Sequence, residues 1–301
     1  MTVNRTRRSF LLACASAASL APIGRAFAEK PAAYDAQAQL KALERRHGGR
    51  LGVAILHTGN GQRIGHRADE RFPMCSTFKF LAAAQVLARV DRGEERLQRR
   101  IVYREQDLVT YSPVTEKHAG APGLTLAELC HATITLSDNT AGNLLLDSFG
   151  GPAALTAFVR ALGDDMTRLD RREPELNEAV PGDPRDTTTP AAMLDSMRAL
   201  LLGDSLSPAS RKQLSDWLVA NTTGGERLRA GLPQDWRVGD KTGTGAHGVT
   251  NDIGIVWPPG GAPLLVAAYY AESDVPQETR NAVIAEVGRI AAGSVRGRPV
   301  A

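Results

Sequence analysis

Trp236-Arg237-Val238-Gly239-Asp240-Lys241-Thr242-Gly243-Thr244-Gly245 is the stretch at which strand-like sequence returns after a long helical interval. Its first half predicts a strand over 236–240, and its second half ends that strand in a glycine-broken turn. Two further strands are expected over 253–257 and 264–270, then a closing amphipathic helix over 277–292. The other end of the chain mirrors this: a helix over 35–47 precedes strands over 51–56 and 62–66, joined across Thr58-Gly59-Asn60-Gly61. Between the two ends, helices are expected over 78–90, 126–133, 140–149, 152–162, 190–202 and 208–219. Thr189-Pro190 and Ser207-Pro208 mark the last two starts as an N-cap followed by proline in the first turn. Strands at both ends and helices between imply an antiparallel sheet built from the two termini, flanked by helices, with an all-helical lobe inserted. The expected division is an α/β lobe of 29–67 and 220–301 and a helical lobe of 68–219, with chemistry in the cleft between them.

The 301 residues are 43% hydrophobic and 23% charged, a soluble globular composition with no repeat or linker. The net charge of +3 is misleading about partners. Arg5, Arg7, Arg8 and Arg25 fall within the first 28 residues, which hold no acid, and without them 32 basic side chains face 33 acidic ones. That balance argues against a nucleic-acid partner. Residues 1–28 read as a signal peptide: a basic start, a short apolar run over 10–20 and Ala26-Phe27-Ala28 as the cleavage site. Arg7-Arg8-Ser9-Phe10-Leu11 has the form of a twin-arginine signal, with ordinary Sec export as the alternative. The apolar run is far shorter than the roughly 18 residues a spanning helix needs, so no stable membrane anchor is expected. Leu11-Leu12-Ala13-Cys14 resembles a lipobox but follows the arginines too closely for an apolar segment to fit before it. The expected location is periplasmic.

Cys75 and Cys130 remain after the leader and read as buried, inert thiols rather than a disulfide. The six histidines show no metal-ligand spacing, and no metal or other cofactor is expected. Gly59-Asn60-Gly61 and Gly224-Gly225 are turns rather than phosphate cradles, and the arginine-rich stretch 92–100, interrupted by Glu94 and Glu95, is a solvated surface.

Three motifs carry the candidate chemistry. Ser76-Thr77-Phe78-Lys79 opens an apolar helix, where positions i and i+3 put a hydroxyl beside an ammonium among free backbone N–H groups. Taken alone it is weak, since about one such spacing is expected by chance in a chain this long, and a capping serine with a solvated lysine explains it as well. Ser137-Asp138-Asn139, in an interhelical loop, combines a hydroxyl, a carboxylate anchor and an amide; alone it is equally a capping loop. Lys241-Thr242-Gly243-Thr244-Gly245 offers a cationic anchor and glycines that let a ligand approach the backbone.

Together and in this order, these motifs resemble the class A serine β-lactamases, of which the combination is a known signature. The resemblance spans nearly the whole mature chain. Tyr111-Ser112-Pro113, Glu116-Lys117 and Asp186-Thr187-Thr188 also look like family segments, and Arg171-Arg172-Glu173-Pro174-Glu175-Leu176-Asn177 matches the loop that separates the family from D,D-peptidases. The resemblance implies a two-lobed β-lactamase/D,D-peptidase-like fold and hydrolysis of penicillins and cephalosporins through a serine acyl-enzyme, conferring resistance. It implies Ser76 as nucleophile, with the Ser76 and Thr244 N–H groups as oxyanion hole. It leaves open whether Lys79, or Glu173 through a water, takes the Ser76 proton. It further implies Ser137 as proton relay to the leaving nitrogen, Glu173 and Asn177 as holders of the deacylating water, and a cis bond at Glu173-Pro174, with Arg171 and Asp186 closing the loop. Lys241 attracts the substrate carboxylate, and Asn139, Thr242, Gly243 and Tyr111 contact substrate. Family members commonly add an arginine near the Lys-Thr-Gly lysine, and Arg227 is the match here. Gly245 stands where carbapenem-hydrolysing relatives often bridge a second cysteine to the equivalent of Cys75, which counts against that specialisation. The partners implied are β-lactams and β-lactamase inhibitors, with the protein a monomer. The rival classes are a D,D-peptidase and a sensor acylated once.

Overall fold

The computed structural model describes residues 1–2 and 34–296. The apolar run and cleavage site of the expected leader, and Cys14, lie outside them. Helix α1 (Ala36–His47) is capped by Asp35, whose carboxylate accepts from Ala38 N, and is stopped by Gly48 at φ 68°. Strands β1 (Arg50–His57) and β2 (Arg63–His66) follow, then β3 (Phe72–Pro73) and a 3₁₀ turn, Cys75–Thr77, that leads into α2 (Phe78–Asp91). The middle of the chain carries β4 (Arg100–Ile101), β5 (Leu124–Thr125), α3 (Leu126–Thr135), α4 (Asn139–Phe149), α5 (Gly151–Ala161), β6 (Thr187–Thr188), α6 (Pro190–Leu201) and α7 (Pro208–Val219). A short α8 (Leu228–Gly231) precedes β7 (Arg237–Thr244), β8 (Thr250–Trp257), β9 (Leu264–Ala271) and α9 (Gln277–Arg296).

The five long strands form one antiparallel sheet in the order β2-β1-β9-β8-β7. The first long strand pairs with the last, Val53 opposite Ala268. Side chains alternate between faces along each strand, and the burial follows. Leu51, Val53, Ile55, Val266, Ala268 and Tyr270 pack with Leu40, Leu43, Val283 and Val287 of α1 and α9. Ala54, Leu56, Leu265, Ala267 and Tyr269 join the core of the central helices. A one-residue slip of any strand would exchange these two cores, so the register that presents β7 to the cleft is strongly fixed.

Helix α2 is apolar nearly all round, and every residue from Phe78 to Ala88 is buried, as expected of a helix at the centre of a domain. Lys79, in its first turn, is therefore buried too, and the solvated lysine considered for the isolated motif does not occur. The two predicted proline starts are confirmed: Thr189 and Ser207 cap α6 and α7 by accepting from Ala192 N and Ser210 N. The predicted end of the strand at Asp240 is corrected. β7 continues to Thr244, because Lys241, Thr242, Gly243 and Thr244 all pair with β8. No helix among the described residues is long and apolar enough to cross a membrane.

Candidate active site

Ser76 sits at the junction of two constraints. Cys75 before it takes a left-handed backbone (φ 45°), and α2 begins two residues later. The turn is therefore packed under the helix N-terminus while Ser76 Oγ faces outward. On the opposite side, Gly243 lets the edge strand β7 approach. A Cβ there would lie 2.7 Å from Met74 O and 3.2 Å from Thr77 Cγ2, so any other residue would push the strand from the nucleophile turn. Asn251 braces the same junction from β8, donating to Pro73 O and Met74 O.

Two charged side chains, Lys79 and Glu173, bond to Ser76, and Ser137, Asn139 and Lys241 extend the network. Lys79 Nζ donates to Ser76 Oγ at 3.0 Å, to Asn139 Oδ1 at 2.6 Å and to Ser137 O at 2.8 Å, with Ser137 Oγ at 3.3 Å. Ser76 Oγ donates directly to Glu173 Oε1 at 3.1 Å, and Lys79 Nζ lies 3.0 Å from the same oxygen. Burial lowers the Lys79 pKa, while the neighbouring Glu173 charge pulls it back up. Lys241 Nζ donates to Ser137 Oγ at 3.0 Å and to Thr242 O at 2.8 Å. Its pKa is pushed well down by burial and, next, by the Lys79 charge. Two cations thus share one hydroxyl, Ser137, which lies in a left-handed turn (φ 60°). Asp138, between them in sequence, points away and accepts from Val114 N, Thr115 N and Ala141 N, fixing the loop.

The Glu173 loop is closed as its sequence suggested. Asp186, buried, accepts from Arg171 Nε at 2.6 Å and from Asp170 N and Arg171 N, and the Glu173-Pro174 bond is cis. Asn143 grips the Glu173 backbone from α4 through both halves of its amide. Asn177 Nδ2 donates to Glu173 Oε2, and Asn177 Oδ1 is buried without a protein partner. A buried acceptor left unpaired is costly, and its position beside Glu173 suits a water held between amide and carboxylate.

The cleft above these groups has a volume of about 350 Å³ and is lined by Ser76, Tyr111, Ser137, Asn139, Asn177, Thr223, Arg227, Thr242, Gly243 and Thr244. Lys79, Glu173 and Lys241 lie beneath its floor, essentially without exposure. Tyr111 stands at the rim, 58% exposed. Every residue predicted for the site is thus in the cleft or just under it. Arg227 is less free than expected. It is buried and donates to Gly243 O and Asn251 O, both at 2.8 Å, to Asn281 Oδ1 at 3.1 Å and to Thr244 Oγ1 at 2.7 Å. These contacts hold the end of β7 and leave one N–H of the guanidinium for a ligand. Thr223, whose hydroxyl meets that of Thr242, and the bracing residues Asn143 and Asn251 were not found from sequence.

Cys75 and Cys130 are free and buried, with burial raising both thiols, so neither is nucleophilic. Among the described residues no group of histidine, cysteine and carboxylate side chains could hold a metal.

A family model described as a β-lactamase enzyme family matches residues 35–295. β-Lactamase L2 of Stenotrophomonas maltophilia is 51% identical over 267 residues, covering 88% of each chain. β-Lactamase CTX-M-8 of Citrobacter amalonaticus is 46% identical over 290 residues, covering 96% of this chain and 98% of the relative. Among solved structures, an ancestral class A β-lactamase superposes with a TM-score of 0.84 at 70% identity, covering 85% of this chain and 98% of its own.

Proposed function

The chain belongs to the class A β-lactamase family and hydrolyses β-lactams, conferring resistance to them, and on that premise we propose how its residues divide the reaction. Ser76 Oγ attacks the β-lactam carbonyl. While Lys79 carries its proton, Glu173 is the group able to accept the Ser76 proton, and the direct 3.1 Å hydrogen bond between them supports that route without an intervening water. Lys79, in contact with Ser76, Ser137 and Glu173 together, passes the proton on, and Ser137 delivers it to the leaving ring nitrogen. The Ser76 and Thr244 N–H groups stabilise the oxyanion, each such donor being worth about 10²–10³ in rate. Lys241 attracts the substrate carboxylate and holds Ser137. Asn139, Thr242, Gly243 and Tyr111 contact the substrate. Glu173 and Asn177 then hold the water that hydrolyses the acyl-enzyme.

The single observation that carries this reading is the Glu173–Asn177 pair, fixed beside the nucleophile with a buried acceptor unspent. A one-time acylated sensor or a D,D-peptidase needs no such pair. The test is hydrolysis of a penicillin, early and late cephalosporins and a carbapenem by the purified protein. Many turnovers per molecule are expected with a penicillin; a stoichiometric burst that then stops would overturn the reading.

Arg227→Ala should weaken use of anionic β-lactams. Losing one charge-assisted hydrogen bond and the support of Thr244 is expected to lower kcat/KM by about tenfold or more. Steady-state kinetics check this, and unchanged KM and kcat/KM for a penicillin would remove Arg227 from substrate recognition.

The division into an α/β lobe of 29–67 and 220–301 and a helical lobe of 68–219 is part of the same proposal. So is export: residues 1–28 act as a twin-arginine-type leader, and the mature enzyme is a periplasmic monomer that β-lactamase inhibitors also acylate.

A further inference from the structure

Behind the cleft, on the strand pair that carries Lys241, lie two aspartates that the reaction does not use. Asp240 of β7 and Asp252 of β8 are both fully buried and lie on the same face of the sheet as diagonal neighbours across the strand pair, Asp240 opposite Gly254 and Asp252 opposite Thr242. Asp240 is supplied with one donor on each oxygen, leaving each a second lone pair: Asn221 Nδ2 at 2.7 Å on Oδ2 and Arg229 Nε at 2.5 Å on Oδ1. Asp252 is not. Its Oδ2 accepts from Leu228 N at 3.1 Å, while its Oδ1 is buried without a protein donor. An ionised carboxylate in that position would hold an unpaired buried charge next to a second one, which is among the costliest arrangements in a protein interior. A carboxylic acid in the same position is a donor with an acceptor waiting beside it. The surroundings keep solvent out: a Cβ on Gly224 would lie 1.8 Å from Asp240 Oδ2, so only glycine lets that loop close over the carboxylate.

We propose that Asp240 and Asp252 share a single proton, Asp252 serving as the neutral acid, and that this proton keeps the anion-binding corner positive. Asp252 is in this sense a positioning residue. The charged groups around the pair are Arg229 from α8, Arg227 from the turn before it, and Lys241 on the same strand. Two carboxylates would offset most of the charge that Lys241 and Arg227 present to the cleft. One is matched by Arg229 and leaves them free to attract a substrate carboxylate. Burial raises the pKa of both aspartates, and for Asp252 the adjacent Asp240 charge adds to it. The inference rests on the reading of Lys241 as the carboxylate anchor.

Infrared spectroscopy of the wild-type protein at neutral pH, where ordinary aspartates and glutamates are ionised, reads the proton directly. An un-ionised carboxylic-acid carbonyl band is expected, and it should be lost in Asp252→Asn, whose amide keeps a neutral donor towards Asp240. Because that exchange changes no charge, KM for a penicillin should stay within about twofold at neutral pH. With rising pH, KM should climb more steeply in the wild type, where the second carboxylate ionises, than in Asp252→Asn, where only the lysines of the cleft still titrate. Absence of the band from the wild type overturns the shared proton whatever the kinetics. A band accompanied by identical KM–pH profiles in the two proteins overturns instead its effect on substrate capture.

Discussion

Ser76→Ala is expected to abolish covalent labelling by any β-lactam and to lower kcat by about 10⁶, the scale seen when the nucleophile of a serine hydrolase is removed. The cause is local. Ser76 Oγ is the one nucleophilic atom in the cleft held by both an ammonium and a carboxylate, at 3.0 and 3.1 Å. Neither buried cysteine can replace it, since both thiols are pushed towards the protonated form. The variant should still fold, because the methyl of alanine fits where the serine methylene already packs and Lys79 keeps its contacts to Glu173, Asn139 and Ser137. Intact mass after mixing with a penicillin checks the labelling, and retained thermal stability checks the fold. An adduct on the variant would move the nucleophile elsewhere.

Glu173→Ala should separate the two halves of the reaction. Acylation can still proceed through Lys79 as base, whereas deacylation loses the carboxylate that orients and deprotonates its water, a general-base contribution of about 10²–10⁴ in rate. The acyl-enzyme should therefore accumulate and be visible as a stable mass increment. Glu173 is also the counter-charge of Lys79, and breaking a buried ion pair by removing one partner costs about 3–5 kcal/mol. Glu173→Gln is thus the necessary companion: it keeps the shape and the hydrogen-bonding partners of Asn177 and Ser76 but cannot act as base. Both variants are expected to trap the intermediate, and normal steady turnover in Glu173→Gln would remove Glu173 from deacylation.

How far the sequence spoke depended on whether the signal was local. The apolar run of α2, the Thr189-Pro190 and Ser207-Pro208 starts and the continuous apolar run of β9 are local, and they are legible. The motif residues Ser76, Lys79, Ser137, Glu173 and Lys241 were legible by resemblance, not by spacing. Lys79 read alone suggested a solvated side chain, and only the all-round burial of α2 shows that it cannot be one. Gly243 and Gly245 look like turn punctuation and predict too early an end for β7, yet Gly243 is there for the close approach of the strand to Met74. Strands of two residues such as β3 and β6 exist through a partner far along the chain, with Phe72 opposite Thr188, and carry no periodicity to detect. Thr223, Asn143 and Asn251 act by tertiary contact alone. Asp240 and Asp252 did leave a trace: an acid within a strand otherwise buried on both faces is a position that needs an explanation. Placing the start of the β8 strand at Ile253 put Asp252 outside it.

The most direct test of the account is a time-resolved intact-mass experiment on the wild type and Glu173→Gln mixed with the same penicillin, with the adduct mapped by proteolysis. The account predicts a transient adduct in the wild type and a persistent one in the variant. Both should be one per chain and on the peptide containing Ser76. An adduct on another peptide, or sustained hydrolysis by the wild type with no adduct at any time, would contradict it.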